Sequence, residues 1–381
     1  MNETVLQLRR RVLVLSLCLL ALAGQSDPAA ARKKGDGPLW VTAYYADWQQ
    51  QSGYLPPEKI DFTAISHVIH FSIVPKNDGT IDDAGSDFIT PAQSQAVIAP
   101  AHAAGCKALI CVGGADTSGR FRPALADGIR PVFARSLVDF AMTRGYDGID
   151  IDMEPIEDAD VPHYEAFIKD LRSQMDAAGK GLLLTAATAQ QPALFARLAD
   201  QFDQINVMTY DLAGPWEGFK TWHNAGLYDA GGEKMAGDVP YPSANSTMQN
   251  FIKAGVPRSK LAVGIAFYGS VWNGADAPKE SIEGVKVDSS VDYHTIADKY
   301  LPAGRYHWDA DAHASYLSID TPAGKKFIPY DDERVCAEKV KYARAQGLGG
   351  VMIWELGSGY CAGLPEGRRD PLLQAVKKAW K

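Results

Sequence analysis

Three carboxylates at alternating positions are the residues of this chain best suited to chemistry. Asp150, Asp152 and Glu154 are two residues apart, so in a β-strand they point to one face, with successive side chains roughly 6.7 Å apart. Like charges this close raise the pKa of at least one carboxyl group, which makes a proton donor available near neutral pH. Pro155 would end the strand just after Glu154. The spacing therefore predicts a catalytic acid cluster.

An exposed acidic edge strand or a cation site is the alternative interpretation of these acids. Calcium loops, however, place oxygen ligands and a Gly turn in a flexible loop, whereas the residues between these acids are Ile and Met. The pattern thus favours a buried strand and a catalytic cluster. His307 and His313 show no ligand spacing, so we expect no metal and no cofactor.

Composition restricts the class of protein. The chain has 381 residues, of which 46% are hydrophobic and 22% charged, as is typical of a globular protein. Its net charge of −8 at pH 7 disfavours nucleic acid and anionic membranes as partners and fits a neutral or basic polymer. We expect a monomer.

The N-terminus has the pattern of a secretory signal. Three arginines at positions 9–11 precede an apolar run at 12–23 that ends in Ala21-Leu22-Ala23. This predicts a signal peptide over residues 1–23, too short to span a membrane, followed by a linker over 24–37. We therefore expect a secreted or periplasmic protein with no membrane attachment after cleavage.

Four cysteines follow the predicted signal. Cys106 and Cys111 flank an apolar run, which favours packed core thiols. Cys336 and Cys361 could form a disulfide in an exported protein, but spacing does not assign the pair, and we favour free thiols.

Strand-like apolar runs alternate with helix-like stretches such as 131–143 and 164–178. The predicted strands are 39–45, 65–74, 108–112, 146–154, 182–187, 205–210, 261–267 and 351–354. Eight such units predict an α/β fold, a (β/α)8 TIM barrel. Active sites of that fold lie at the carboxyl ends of the strands, where Glu154, Tyr210 and Trp354 fall.

The alternation stops after the seventh strand. Residues 274–329 are too many for a plain connection and include strand-like pieces at 314–319 and 326–328. We predict a small α+β insertion subdomain there, with the catalytic barrel formed by 38–273 and 330–381.

Aromatic and polar residues cluster at the predicted strand ends. Tyr210 could donate a hydrogen bond to a carbonyl oxygen or be a core aromatic with a satisfied hydroxyl, and sequence alone leaves both open. Flat rings stack on sugars, so their concentration at one end of the barrel favours a saccharide groove. They are Tyr44, Tyr45, Trp48, Phe71, Trp216, Trp222, Tyr268, Trp272 and Trp354.

The acid cluster also resembles a family signature. Asp147-x-x-Asp150-x-Asp152-x-Glu154 is similar to the DxxDxDxE motif of glycoside hydrolase family 18, the chitinase family. The likeness extends from about residue 39 to 380. Tyr44-Tyr45, Met208-Thr209-Tyr210-Asp211, Phe267-Tyr268-Gly269 and 350–354 resemble its first, sixth, seventh and eighth strands, while Trp308-Asp309, Tyr316-Leu317 and Tyr330-Asp331-Asp332 resemble its insertion-bearing, bacterial-type subgroup.

The resemblance implies a role for each matching residue. Glu154 would be the proton donor. Asp152 would hold the substrate acetamido group and share a proton with Asp150, and Tyr210 and Asp211 would position that group. The implied substrate-binding residues are Trp354 as the floor at the cleaved bond, Trp216 stacking on the sugar beyond it, and Tyr44, Phe71, Gly113, Gly114, Met208 and Tyr268.

Three positions depart from the family pattern. Cys111 replaces the serine of S-x-G-G, Ser270 replaces the arginine of Y-G-R, and His70 replaces an asparagine of the second strand. A thiol is a weaker hydrogen-bond donor than a hydroxyl. We expect these changes to affect the pH profile and subsite affinities rather than the existence of activity.

The function that the resemblance implies is that of a secreted, retaining chitinase. It would hydrolyse β-1,4 bonds in chitin or N-acetylglucosamine oligosaccharides, assisted by the substrate's acetamido group. Ordinary retaining enzymes need a second carboxylate about 5–5.5 Å from the acid, across the bond, and acids on one strand approach from one side only. The alternatives are a chitin-binding lectin, which usually lacks the terminal Glu, an endo-β-N-acetylglucosaminidase, which the insertion disfavours, and an unrelated two-carboxylate glycosidase.

Overall fold

The computed structural model describes residues 39–81, 89–322 and 324–381. The predicted signal peptide and linker lie outside these residues. The strands in chain order are β1 (Trp40–Ala46), β2 (His67–Ile73), β3 (Lys107–Gly114), β4 (Gly148–Met153), β5 (Leu183–Thr188), β6 (Gln204–Val207), β7 (Lys234–Met235), β8 (Val239–Pro240), β9 (Leu261–Ala266), β10 (Tyr268–Asn273), β11 (Lys286–Asp292), β12 (Arg305–Asp309), β13 (Ala314–Thr321), β14 (Gly324–Tyr330) and β15 (Gly350–Trp354).

Helices fill most of the connections between the barrel strands. They are α1 (Asp47–Ser52), α2 (Pro91–Ala103), α3 (Ser118–Ala124), α4 (Arg130–Arg144), α5 (Val161–Ala177), α6 (Pro192–Leu198), α7 (Ala244–Ala254), α8 (Tyr293–Thr295), α9 (Glu333–Gln346) and α10 (Pro371–Trp380). The predicted helices 131–143 and 164–178 correspond to α4 and α5.

Eight parallel strands close into a barrel in the order β1-β15-β9-β6-β5-β4-β3-β2. The predicted (β/α)8 fold is confirmed. One strand differs in length, because β6 ends at Val207, three residues before the predicted end. Tyr210 therefore lies in the loop after β6, where backbone direction is less restricted than in a strand.

Alternation along β4 separates two environments. Ile149, Ile151 and Met153 belong to the large core between the barrel strands and the surrounding helices. Asp150 and Asp152 belong to the opposite set, and both are buried. The period of two in this strand thus places carboxyl groups inside the barrel and aliphatic groups outside it.

The segment between the seventh and eighth barrel strands forms an antiparallel sheet of five strands, in the order β11-β10-β14-β13-β12. The predicted pieces at 314–319 and 326–328 lie within β13 and β14. The sheet begins at Tyr268, before the predicted insertion boundary at residue 274, because β10 follows β9 after the single residue Phe267. The sheet therefore continues almost directly from the barrel.

Asp331 holds the two ends of this insertion together. Its Oδ2 accepts a hydrogen bond of 3.1 Å from the backbone N–H of Ala266, at the end of β9, and one of 2.5 Å from Lys339 Nζ on α9. Asp331 and Lys339 are both buried. Each charge has its partner in the low-dielectric interior, as a buried ion pair requires.

Two other sequence expectations can be compared with the described residues. Cys106, Cys111, Cys336 and Cys361 are all buried free thiols. Within the three described ranges, no helix combines the length and apolar character needed to cross a lipid bilayer.

Candidate active site

A cavity of about 530 Å³ lies at the carboxyl ends of the barrel strands. Asp150 is buried beneath its surface, and Trp216 lies outside its lining. Eleven predicted site residues line the cavity: Tyr44, Phe71, Gly113, Gly114, Asp152, Glu154, Met208, Tyr210, Asp211, Tyr268 and Trp354.

Asp150 is held by hydroxyl groups from two other strands. Its Oδ2 accepts a hydrogen bond of 2.8 Å from the Tyr44 hydroxyl, and its Oδ1 accepts one of 2.5 Å from Thr185 Oγ1. Burial raises the pKa of the Asp150 carboxyl, while hydrogen bonds from Thr185, Tyr44 and the Cys111 thiol lower it. Asp150 is thus a polar group held in place two residues before Asp152 on β4.

Asp152 and Glu154 form a hydrogen-bonded pair of carboxyl groups. Burial raises the pKa of Asp152 well above its usual range, and the charges of Glu154 and Asp150 act in the same direction. Burial raises the pKa of Glu154 to about 7; its hydrogen bond with Asp152 lowers that pKa, whereas the charges of Asp211 and Asp116 raise it. Near neutral pH the pair therefore retains a proton, which a general acid needs.

Tyr210 and Asp211 contribute polar groups from the loop after β6. The Tyr210 hydroxyl donates to Met352 Sδ over 3.7 Å, and a thioether is a weak acceptor, so a carbonyl oxygen could replace it. Asp211 has a left-handed backbone with φ of 53°, which is uncommon for residues other than Gly. Its carboxyl accepts a hydrogen bond from Tyr268, and burial raises its pKa.

Four rings pack together on one side of the cavity. The Trp354 ring centre lies 5.4 Å from that of Tyr44, 4.8 Å from that of Phe71 and 6.3 Å from that of Trp48. Trp48 is 47% exposed, so much of its ring faces the open space. Edge-to-face contacts of this kind fix ring orientation. The result is an apolar floor suited to the CH-rich faces of sugar rings.

Close packing explains the glycine pair at the end of β3. A Cβ on Gly113 would lie 2.1 Å from the Asp152 carbonyl oxygen, and one on Gly114 would lie 2.5 Å from the Phe71 ring. Both residues have φ above 110°, a conformation open mainly to Gly. The two glycines therefore let β3 approach the strand of the acids and the ring that lines the cavity.

A family model described as "Glycosyl hydrolases family 18" matches residues 41–359. The chain belongs to glycosyl hydrolase family 18.

Two curated relatives of this family 18 protein are similar over much of its sequence. Chitinase A1 of Niallia circulans is 34% identical over 310 residues, covering 72% of this chain and 42% of the relative, so the chain spans less than half of that relative's length. Endochitinase 1 of Metarhizium robertsii is 28% identical over 363 residues, covering 87% of this chain and 84% of the relative.

A solved structure supports the same fold. The immunomodulatory active chitinase TsES1 of Trichuris suis superimposes with a TM-score of 0.77 at 22% identity, covering 90% of this chain and all of the other. At this identity the likeness concerns the arrangement of the backbone.

Trp216 stands apart from the other predicted site residues of this family 18 protein. Its ring is 49% exposed and packs edge-on against Phe219, with ring centres 5.0 Å apart. A Cβ on Gly214 would lie 2.6 Å from the Trp216 ring, so the ring rests directly on the backbone of its own loop. Trp216 is thus an exposed ring that lies outside the lining of the cavity.

The three departures from the family 18 pattern are all buried and are not part of the cavity lining. Cys111 is buried beside Asp150. His70 is buried, and its Nδ1 lies 2.9 Å from the Tyr146 hydroxyl on the outer side of the barrel. Ser270 Oγ accepts a hydrogen bond of 3.0 Å from Trp272 Nε1. Of the three, only Cys111 is in contact with the acid cluster.

Several residues of the site were not assigned to it from the sequence. Thr185 on β5 is the register partner of Asp150 on β4. Alternation along both strands places the two side chains inside the barrel, and this signal could have identified Thr185 from the sequence. Trp48 was counted among the aromatic residues but given no role, although it follows β1 by two residues. Ser290, with φ of 54°, reaches the cavity from β11, and no sequence signal marks it.

Proposed function

We propose that this family 18 glycosyl hydrolase is a chitinase that cleaves β-1,4 bonds between N-acetylglucosamine units with retention of configuration. The observation that supports this most directly is the proton-retaining pair of Asp152 and Glu154, placed in a cavity with the aromatic floor around Trp354. A proton donor beside a stacking surface is what hydrolysis of a neutral polysaccharide requires. The curated relatives described above are themselves named as chitinases.

The proposed first step uses the substrate's own acetamido group, which is the established route in family 18. Glu154 donates its proton to the leaving oxygen as the glycosidic C–O bond breaks. The acetamido carbonyl oxygen forms the new bond to the anomeric carbon. Asp152 accepts a hydrogen bond from the amide N–H, and Tyr210 donates one to the carbonyl oxygen.

Water completes the reaction by attacking the face of the sugar from which the leaving group has departed. Glu154, now ionised, takes a proton from the water molecule that attacks the anomeric carbon, and the acetamido oxygen leaves. The acid is thereby restored. Asp150 and Asp152 are on the strand that precedes Glu154, so neither approaches the sugar from the opposite face. Asp211 comes from another strand end and is the rival nucleophile.

Analysis of products from chitin oligosaccharides tests the proposed activity. Purified protein incubated with chitotetraose and chitohexaose should release shorter N-acetylglucosamine oligomers, identified by mass spectrometry. Binding without cleavage would instead support a chitin-binding lectin. Release of N-glycans from a glycoprotein without attack on chitin oligomers would support an endo-β-N-acetylglucosaminidase.

Export and a monomeric state are part of the same proposal. Support for export is the basic and apolar pattern of residues 1–23, and a polymeric substrate would be met outside the cell. Mass spectrometry of protein recovered from the medium should place its N-terminus near residue 24, and light scattering should give the mass of one chain. An uncleaved N-terminus would contradict the proposed export, and a larger mass would contradict the monomeric state.

A further inference from the structure

A second cavity, of about 600 Å³, continues from the first beyond the aromatic floor. The two cavities share Trp48, Tyr268, Ser290 and Trp354. Besides Tyr268, the second cavity is lined by three separate segments: α1 with the residues just after it, the end of β15 with the loop that follows, and the end of β11 with the residues that follow it. The shape of the extended cleft therefore depends on how these three segments are placed relative to one another.

Glu355 occupies the position where the three segments meet. Its side chain is buried, and both carboxyl oxygens are hydrogen-bonded. Oε1 accepts from Gln49 Nε2 at 2.8 Å and from the backbone N–H of Ser358 at 2.7 Å, and Oε2 accepts from the backbone N–H of Gly357 at 2.9 Å. The Ser358 hydroxyl lies 2.8 Å from Oε1. Three N–H donors, together with a hydroxyl whose single hydrogen is shared between Glu355 and Asp292, leave this buried carboxyl little freedom to move.

The partners of Glu355 are adjacent to the residues that form the floor. Gln49 follows Trp48 on α1, and Glu355 itself follows Trp354 at the end of β15. The insertion joins the same network, because the Ser358 hydroxyl also lies 2.7 Å from Asp292 Oδ1, at the end of β11. The backbone N–H of His294 donates to the Ser358 carbonyl oxygen over 3.0 Å.

We propose that Glu355 is a positioning residue that fixes Trp48, Trp354 and the end of β11 relative to one another, and thereby sets the affinity for long oligosaccharides. This inference rests on the proposed chitinase function. Glu355 lines only the second cavity and does not line the cavity that contains Glu154. Its effect is therefore exerted through the two tryptophans and increases with the number of sugar units bound.

Two substitutions separate this role from general support of the fold. Glu355→Gln keeps the shape of the side chain but replaces one acceptor oxygen with an NH₂ group that faces existing donors. Gln49→Met removes only the donor from α1. Gln174→Met is the matched control, because Gln174 Nε2 donates to the Pro131 carbonyl oxygen over 3.1 Å on the outside of the barrel.

Binding and kinetics should both depend on substrate length. In a Glu154→Gln background, where turnover does not interfere, each of the two substitutions should weaken the Kd for chitohexaose about tenfold, the size of effect expected when one buried hydrogen bond is lost. With Glu154 intact, KM for chitohexaose should rise more than KM for a fluorogenic chitobioside. The double variant should show less than the product of the single effects, because both changes break one contact.

Uniform effects would overturn the inference. It is wrong if Kd for chitohexaose stays at the value of the Gln174→Met control, or if KM for short and long substrates changes by the same factor. If the melting temperature falls but the dependence of Kd and KM on substrate length is unchanged, Glu355 contributes to folding alone. Failure of the proposed function is seen separately, as absence of cleavage by the protein with Glu154 and Glu355 both intact.

Discussion

Asp152 and Glu154 share a hydrogen bond between two carboxyl groups that belong to the same end of one strand. Two ionised carboxylates cannot make this contact, so at least one of the pair carries a proton. Burial favours the same outcome for both residues. The pair therefore holds a proton before substrate arrives, and it is this proton that the proposed mechanism assigns to the leaving oxygen.

Glu154→Gln should fold normally and lose most of its activity. The amide has almost the shape of the acid but has no proton to donate, and general acid catalysis contributes about 10²–10⁴-fold. The measurement is kcat on chitotetraose beside a thermal melt. Turnover equal to that of the unmodified protein would show that another group supplies the proton.

The pH dependence of kcat/KM should show an alkaline limb near pH 7. Burial raises the pKa of Glu154 to about 7, and the protonated form is the active one. Activity is therefore retained below this pKa and lost as the pH rises through it. A limb at pH 5, near the usual pKa of a glutamic acid, would mean that Glu154 is not held in a desolvated environment when substrate is absent.

Oligosaccharides that lack the N-acetyl group on the sugar at the cleaved bond should be inert. The acetamido oxygen is the proposed nucleophile, so its removal leaves no group to attack the anomeric carbon. Early products from the acetylated oligomer should be β-anomers by NMR. Rapid cleavage of the deacetylated oligomer, or a sugar trapped covalently on Asp211, would establish an enzyme-bound ester instead.

Trp216→Ala should weaken oligosaccharide binding with little change in stability. The ring is 49% exposed, and changes at exposed positions usually alter the free energy of unfolding by about 0.5 kcal/mol or less. Trp222 is the matched control, since it is fully buried and its loss should cost about 3–5 kcal/mol. KM for chitohexaose and melting temperature distinguish the two, and a collapse of the melting temperature in Trp216→Ala would place that ring in the core.

Cys111→Ser should move the acidic limb of kcat/KM to lower pH. A hydroxyl is a stronger donor than a thiol, so it should lower the pKa of Asp150 and keep that carboxylate ionised in more acidic solution, by about 0.5 to 1 pH unit. Cys111→Ala adds no donor and is the control. A limb that moves equally in both variants would show that packing around Asp150, and not its hydrogen bonds, determines the profile.

The period of residues along the strands made most of the barrel predictable from the sequence. Strands β4 and β9 are buried on both faces. In the sequence, β9 is a run of apolar residues and β4 alternates strictly between aliphatic and acidic residues. The end of β6 was predicted three residues too late, because Met208, Thr209 and Tyr210 extend a run of residues typical of strands although the backbone has already left the sheet at Val207. Local pattern does not report where a strand stops pairing.

Some residues of the site could not be predicted from the sequence, because contacts between distant parts of the chain bring them there. Thr185 faces Asp150 only because β4 and β5 are neighbours in register. Ser290 reaches the cavity from a sheet whose strand order is not sequential. Glu355 looks like an ordinary charged residue after a strand, and only the burial of its carboxyl marks it as part of a network.

The position of Asp331 also affects how this protein can evolve. The hydrogen bond from Ala266 to Asp331 joins the point where the chain leaves the barrel to the point where it returns. Because the two ends of the inserted segment are held together, its length and sequence can vary without changing the distance between the barrel residues that it connects. Substrate preference can then evolve by remodelling one wall of the cleft, while the strands that carry the acids are inherited unaltered.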